Sequence, residues 1–294
     1  LQAQRERARA ASQFGADYSV KIELDGETLF TGYDSLEGEA SVTAIVDSEG
    51  NALAALEAGQ KGTVVLDRTP FYGESGGQIG DTGYLHLSDG GRFQVLDTQK
   101  QSGHHLHQGV MIEGVLNVGG QVRPHVDATL RGATVRNHSA THLLHKALRM
   151  VLGDHVQQKG SLVAPDRLRF DFSHFDSVDE DTLRDIERQV NAAIRRDIPK
   201  QEDRDVPIEE AKERGAMALF GEQYDDRVRV ITFDPDYSME LCGGTHVAAT
   251  GEIGLFRFLS EGSVASGVRR VEAVAGEAAF GHVEQQLDEL TQAR

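Results

Sequence analysis

From Tyr18 to about Asp127, apolar and polar residues alternate in short runs: YSVKIEL, ETLFTGY, SVTAIVD, GTVVLDRTPFY, YLHL, FQVLDTQ and VRPHVDA, separated by Gly, Asp and Ser. Alternation puts every second side chain on one face, and many short runs punctuated by turn residues predict a small β-barrel or sandwich. The period then lengthens. Val135, His138, Thr141, His142, His145 and Leu148 recur at helical spacing, which predicts a helix over 132–152 ending at Gly153.

Next come a strand at RLRFDFSHF, a helix from Val178 to Arg196, a short helix at IEEAKERG, and strands at RVRVITF, GLFRFLSEG and VRRVEAVAG. Strands mixed with amphipathic helices predict an α+β protein: a small N-terminal β-barrel, then a two-layer α/β domain with a mainly antiparallel sheet. Residues 1–15 read as the end of a preceding helical domain, 16–131 as the barrel, 132–275 as the two-layer domain and 276–294 as the start of a linker helix. The chain begins with Leu1 and closes on EQQLDELTQAR, which reads as a piece of something larger.

Composition narrows the function classes. The 294 residues, 39% hydrophobic and 26% charged, suit about two globular domains. A single cysteine excludes an internal disulfide and fits a reducing, cytoplasmic setting. No stretch approaches the roughly 20 apolar residues of a membrane helix. A net charge of −17 argues against nucleic-acid binding over the whole surface, because phosphate contacts need Lys and Arg. The pairs Arg131/Arg136, Arg195/Arg196 and Arg269/Arg270 each read as solvated surface charge.

Two short motifs carry chemistry. HSATHLLH places His138 and His142 four residues apart on a helix, where both imidazoles can aim at one point, with His145 a turn further along. Ser139 stands where a metalloprotease H-E-x-x-H would have its Glu. ELCGGTH places Cys242, the lone thiol, four residues before His246. One Cys and three His form a borderline-soft donor set that matches Zn²⁺. His104, His105 and His107 in SGHHLHQG are a competing cluster, expected to be exposed at a hairpin tip.

HSATHLLH, QKGSLV, GAMALFGE, ELCGGTH, GVRRVEAVAG and RTPFYGESGGQIGDTG together resemble the editing region of bacterial alanyl-tRNA synthetases, over essentially the whole chain. The resemblance implies a zinc ion held by His138, His142, Cys242 and His246, and hydrolysis of serine or glycine wrongly esterified to alanine tRNA, whose acceptor end is the implied partner. It also implies that Gly76, Gly77 and Gln78 bring backbone close to the substrate, whereas unaided physics reads GESGGQIGDTG as a glycine turn. No part resembles the ATP-binding aminoacylation domain, so the chain is expected to edit and not to charge tRNA.

Three further residues are candidates for catalysis. Thr141 either contacts the serine hydroxyl or packs in the helix interior. Gln158 matches a glutamine that the family associates with editing. Glu240 either polarises water or orients a ligand, or is a surface carboxylate. Two other functions are open: a hydrolase with Cys242 as nucleophile and a histidine base, and a non-enzymatic, zinc-stabilised tRNA-binding module.

Overall fold

The computed structural model describes residues 26–218 and 224–292. The expected helix over 1–15, the YSVKIEL strand and residues 219–223 of the GAMALFGE stretch lie outside the described residues. The described residues fall into two compact units, one of residues 26–75 and 79–131, the other of residues 76–78, 132–218 and 224–292. The architecture is α+β.

The first unit holds β1 (Leu29–Phe30), β2 (Ala40–Val46), β3 (Ala55–Glu57), β4 (Lys61–Leu66), β5 (Arg68–Thr69), β6 (Gly83–Leu87), β7 (Arg92–Gln101), β8 (His104–Glu113), β9 (Val115–Asn117) and β10 (Gln121–Val126). Six of them close a barrel in the order β10-β2-β4-β8-β7-β6, with every neighbouring pair antiparallel. Strict alternation explains it: in β10 Val122, Pro124 and Val126 are buried while Gln121, Arg123 and His125 face solvent. Val42, Leu66, Leu85, Phe93 and Met111 fill the interior, each contributing roughly 1.5–3 kcal/mol by burial.

Two expectations for this unit are corrected. His104, His105 and His107 are buried on β8, not exposed at a hairpin tip. The His107 ring sits between the Val64 carbonyl (Nδ1, 2.9 Å) and the Thr69 hydroxyl (Nε2, 2.7 Å), and His105 Nδ1 is 2.8 Å from the Phe71 carbonyl. Backbone carbonyls thus substitute for water. Arg131 is buried too: it pairs with Asp81 and donates to the carbonyls of Gly32 and Pro70 at 2.8 Å each.

The helix α1 spans Ala128–Leu152, four residues longer at its start than its apolar period predicts. Asp127 is the reason, since its carboxylate accepts from the backbone N–H groups of Thr129 and Leu130.

The second unit adds β11 (Gln158–Val163), β12 (Leu168–Ser173), α2 (Glu180–Arg195), β13 (Gln201–Pro207), α3 (Ile208–Glu213), β14 (Arg227–Phe233), β15 (Ser238–Leu241), β16 (Phe256–Ala265), β17 (Val268–Ala275) and α4 (Glu277–Gln292). These strands form two antiparallel sheets, β11-β12-β17-β16 and β13-β14-β15, where the sequence pattern suggests one. The β14 residues explain why the second sheet is distinct. Val228 and Val230 pack with Ala211 of α3, while Ile231 and Phe233 join the main core with Leu144 and Leu148 of α1 and Ile186 and Val190 of α2. A sheet buried on both faces needs its own cover on each.

The Arg269/Arg270 pair is not simply solvated either. Arg269 makes a two-pronged pair with Glu261, and Arg270 one with Asp171. Among the described residues, no helix is long and apolar enough to cross a membrane.

Candidate metal centre

The second unit brings the two sequence motifs together. His138 and His142 face inward from α1, whose neighbouring residues Ala140, Leu143 and Leu144 fix its inner face in the core. Cys242 and His246 come from the loop after β15. One donor atom from each of these four residues lies within 4.8 Å of the other three. The Cys242 sulfur is 3.5 Å from His138 Nε2 and 3.3 Å from His246 Nε2.

The residues fit a zinc ion. Zn–S and Zn–N bonds of about 2.3 and 2.0–2.1 Å at a tetrahedral angle put sulfur and nitrogen about 3.6 Å apart, close to both separations. Burial pushes the titration of His138, His142 and His246 down, and neighbouring histidines and Arg229 push it further, with Glu240 opposing at His142; the net direction favours the neutral ring, the form that ligates. His142 Nδ1 is buried without a hydrogen-bond partner among the described residues, a state that favours a bound cation.

Neighbouring side chains hold the donors in place. His246 Nδ1 is 3.1 Å from Ser139 Oγ, which also accepts from the Val247 N–H. Arg229 donates to the carbonyls of Cys242 (2.9 Å) and Gly244 (2.6 Å) and pairs with Glu202 at 2.9 Å, clamping the loop. Glu240 is buried beneath the helix, 3.7 Å from His142 Nε2 and 3.4 Å from His145 Nδ1. Burial alone raises its carboxyl, but the two imidazoles and Arg149 outweigh burial and hold it below the usual carboxylate range. Strand alternation aims it there: Leu241 joins the α3 cluster, so Glu240 takes the opposite face, opposite Ile231.

Family models match two stretches of the chain. Residues 1–130 match "tRNA synthetases class II (A)", and residues 228–272 match "Threonyl and Alanyl tRNA synthetase second additional domain". The chain is 64% identical over 287 residues to an alanine–tRNA ligase of Chromohalobacter salexigens, covering 97% of this chain and 33% of that protein. Against alanine–tRNA ligases of Salinibacter ruber and Pseudomonas fluorescens the identities are 60% and 53%, over 99% and 100% of this chain and 30% and 33% of theirs. The chain belongs to the alanine–tRNA ligase family. It spans about a third of the length of these relatives.

The second-additional-domain match takes in Arg229, Glu240, Cys242 and His246. The class II match takes in the barrel strands. The remaining sequence candidates fall differently. Thr141 is buried and donates its hydroxyl proton to the Asn137 carbonyl at 2.8 Å, as an interior helix threonine does. Gln158 opens β11 opposite Phe172, half-buried, with its amide making no hydrogen bond among the described residues. Gly76 and Gly77 take φ of 57° and 83°, and a Cβ on Gly77 would lie 2.8 Å from the Ser161 carbonyl oxygen. Gln78 is fully buried against His138.

Thr245 and Arg229 escaped the sequence reading, and Ser139 entered it only as the residue at a metalloprotease glutamate's position. Only Arg229 carried a signal, because a charge in phase with Ile231 and Phe233 sits on a strand face otherwise given to the core.

Proposed function

We propose that this region hydrolyses the ester linking serine or glycine to alanine tRNA, as the editing site of an alanine–tRNA ligase. The observation that carries the reading is the convergence of one thiol and three imidazoles, drawn from positions 104 residues apart, around a point where one cation fits. The requirement is physical. A pocket that accepts alanine cannot reject the smaller glycine sterically, and one added hydroxyl costs too little binding energy to exclude serine, so a second site must remove the errors.

His138, His142, Cys242 and His246 would hold the zinc. When bound, zinc supplies Lewis-acid polarisation or a fixed hold on the substrate's amino group. The Thr141 hydroxyl donates its one hydrogen bond to the Asn137 carbonyl, so its oxygen is left as an acceptor for the serine hydroxyl. Gln158 has a free amide that can donate to the ester carbonyl as charge develops there. Gly76 and Gly77 lack side chains and let the acceptor end approach the backbone. Glu240 lies behind His142 and His145, which fits orienting a ligand better than touching water.

The test is hydrolysis of seryl-tRNA specific for alanine by zinc-loaded protein. Release of serine well above the uncatalysed rate, lost in Cys242→Ala, is expected; no release, or full activity in that variant, rejects the reading. The Cys242 sulfur at 3.3 Å from His246 Nε2 also has the spacing of a thiol–imidazole dyad. A covalent acyl-enzyme trapped on Cys242 in zinc-replete protein would decide for that second reading.

A further inference from the structure

We propose that Gln78 is a positioning residue that locks His138 in the tautomer protonated on Nδ1 and so turns its Nε2 lone pair toward the Cys242 sulfur. This rests on the metal reading above and gives Gln78 a role other than substrate contact.

The hydrogen-bond chemistry leaves one solution. Gln78 Oε1 lies 2.9 Å from the backbone nitrogen of Thr245, and a backbone N–H can only donate. That atom of the carboxamide must therefore be the oxygen. The opposite end agrees, since Gln78 Nε2 donates to the Thr245 hydroxyl at 2.9 Å. The same oxygen is 2.7 Å from His138 Nδ1. An oxygen that can only accept faces that ring nitrogen, so Nδ1 carries the proton. With the proton on Nδ1, the lone pair that can ligate lies on Nε2, the atom 3.5 Å from the sulfur.

The geometry around Gln78 is held rigidly. It is fully buried, its backbone pairs with Val163, and the Val163 N–H donates to the Gly77 carbonyl at 2.7 Å. The loop carrying Cys242 closes directly on the pair: a Cβ on Gly244 would lie 2.9 Å from Gln78 Oε1 and 2.0 Å from His138 Cε1. With both Oε1 contacts and the Nε2 contact spent inside the protein, the amide has little left for a substrate.

The experiment compares zinc affinity, by competition with a chromophoric chelator and without tRNA, in wild type, Gln78→Met and Gln78→Glu. Met keeps the length and loses both polar atoms; Glu keeps an acceptor for Nδ1–H. Gln78→Met is expected to bind zinc about 10- to 100-fold more weakly, the usual effect of losing a group that orients a ligand, and Gln78→Glu to stay within a few fold of wild type. Long-range ¹H–¹⁵N spectra of the metal-free protein should show His138 protonated on Nδ1. Wild-type affinity in Gln78→Met, or His138 protonated on Nε2, would overturn the proposal, as would a raised KM for mischarged tRNA with unchanged zinc affinity. A wild type that binds zinc but hydrolyses nothing would reject the editing reading and leave this comparison intact.

Discussion

The buried histidines of the barrel make its stability acid-sensitive. Burial, only partly offset by the bond to Phe71, lowers His105 from an ordinary value near 6.5 to about 4, and burial likewise lowers His107 to about 3. Both folded values lie below the unfolded one. The unfolded chain therefore takes up more protons as pH drops, so the stability present above about pH 6.5 is lost on acidification through the folded values. From about pH 7 to about pH 5.5 each ring loses about 1.2 kcal/mol and the two together about 2.5 kcal/mol, before most carboxylates titrate.

Replacing both by Gln removes the proton sites and keeps polar groups near Val64, Thr69 and Phe71. Urea unfolding followed by circular dichroism across this pH window should show a wild-type loss that exceeds that of His105→Gln/His107→Gln by about 2.5 kcal/mol, although the variant starts less stable at neutral pH. The difference between the two slopes isolates these rings from the other histidines. Equal slopes, or imidazole resonances of His105 and His107 that titrate near pH 6.5, would refute the reasoning.

Two other substitutions probe different parts of the fold. In ELCGGTH, Gly244→Ala drives a methyl onto the His138 ring, 2.5 Å from its Nδ1, whereas Gly243 has nothing within 4 Å of an added Cβ. Zinc affinity should therefore collapse in Gly244→Ala and stay near wild type in Gly243→Ala; similar losses in the two would contradict the packing. In the barrel unit, Arg131→Met strands the buried Asp81 carboxylate and should cost about 3–5 kcal/mol in urea unfolding, with Asp81→Asn in the same chain recovering part of it. No recovery would mean that the carbonyls of Gly32 and Pro70, not Asp81, carry the cost.

What the sequence revealed depended on the range of the interactions involved. Strands β14 and β17 were legible because alternation is local, and α2 because Asp179 caps a strongly amphipathic run by accepting the Thr182 N–H. Strand β11 was not, since QKGSLV has no alternation and forms by pairing with β12. The polar His104–His107 run looks like a tip because the carbonyls that satisfy it, from Val64 and Phe71, are more than 30 residues away. At the metal centre, each donor pair was visible in its own spacing. The company they keep was not: Gln78 reaches His138 across 60 residues and Thr245 across 167, and Ser139 meets His246 across 107. Such contacts exist only once the second unit has folded.

X-ray absorption at the zinc edge of protein purified without added metal tests the central claim most directly. About one zinc per chain is expected, with one sulfur scatterer near 2.3 Å and nitrogen scatterers near 2.0 Å, the sulfur vanishing in Cys242→Ala. A chain that carries no metal, or zinc surrounded only by nitrogen and oxygen in the wild type, would contradict it.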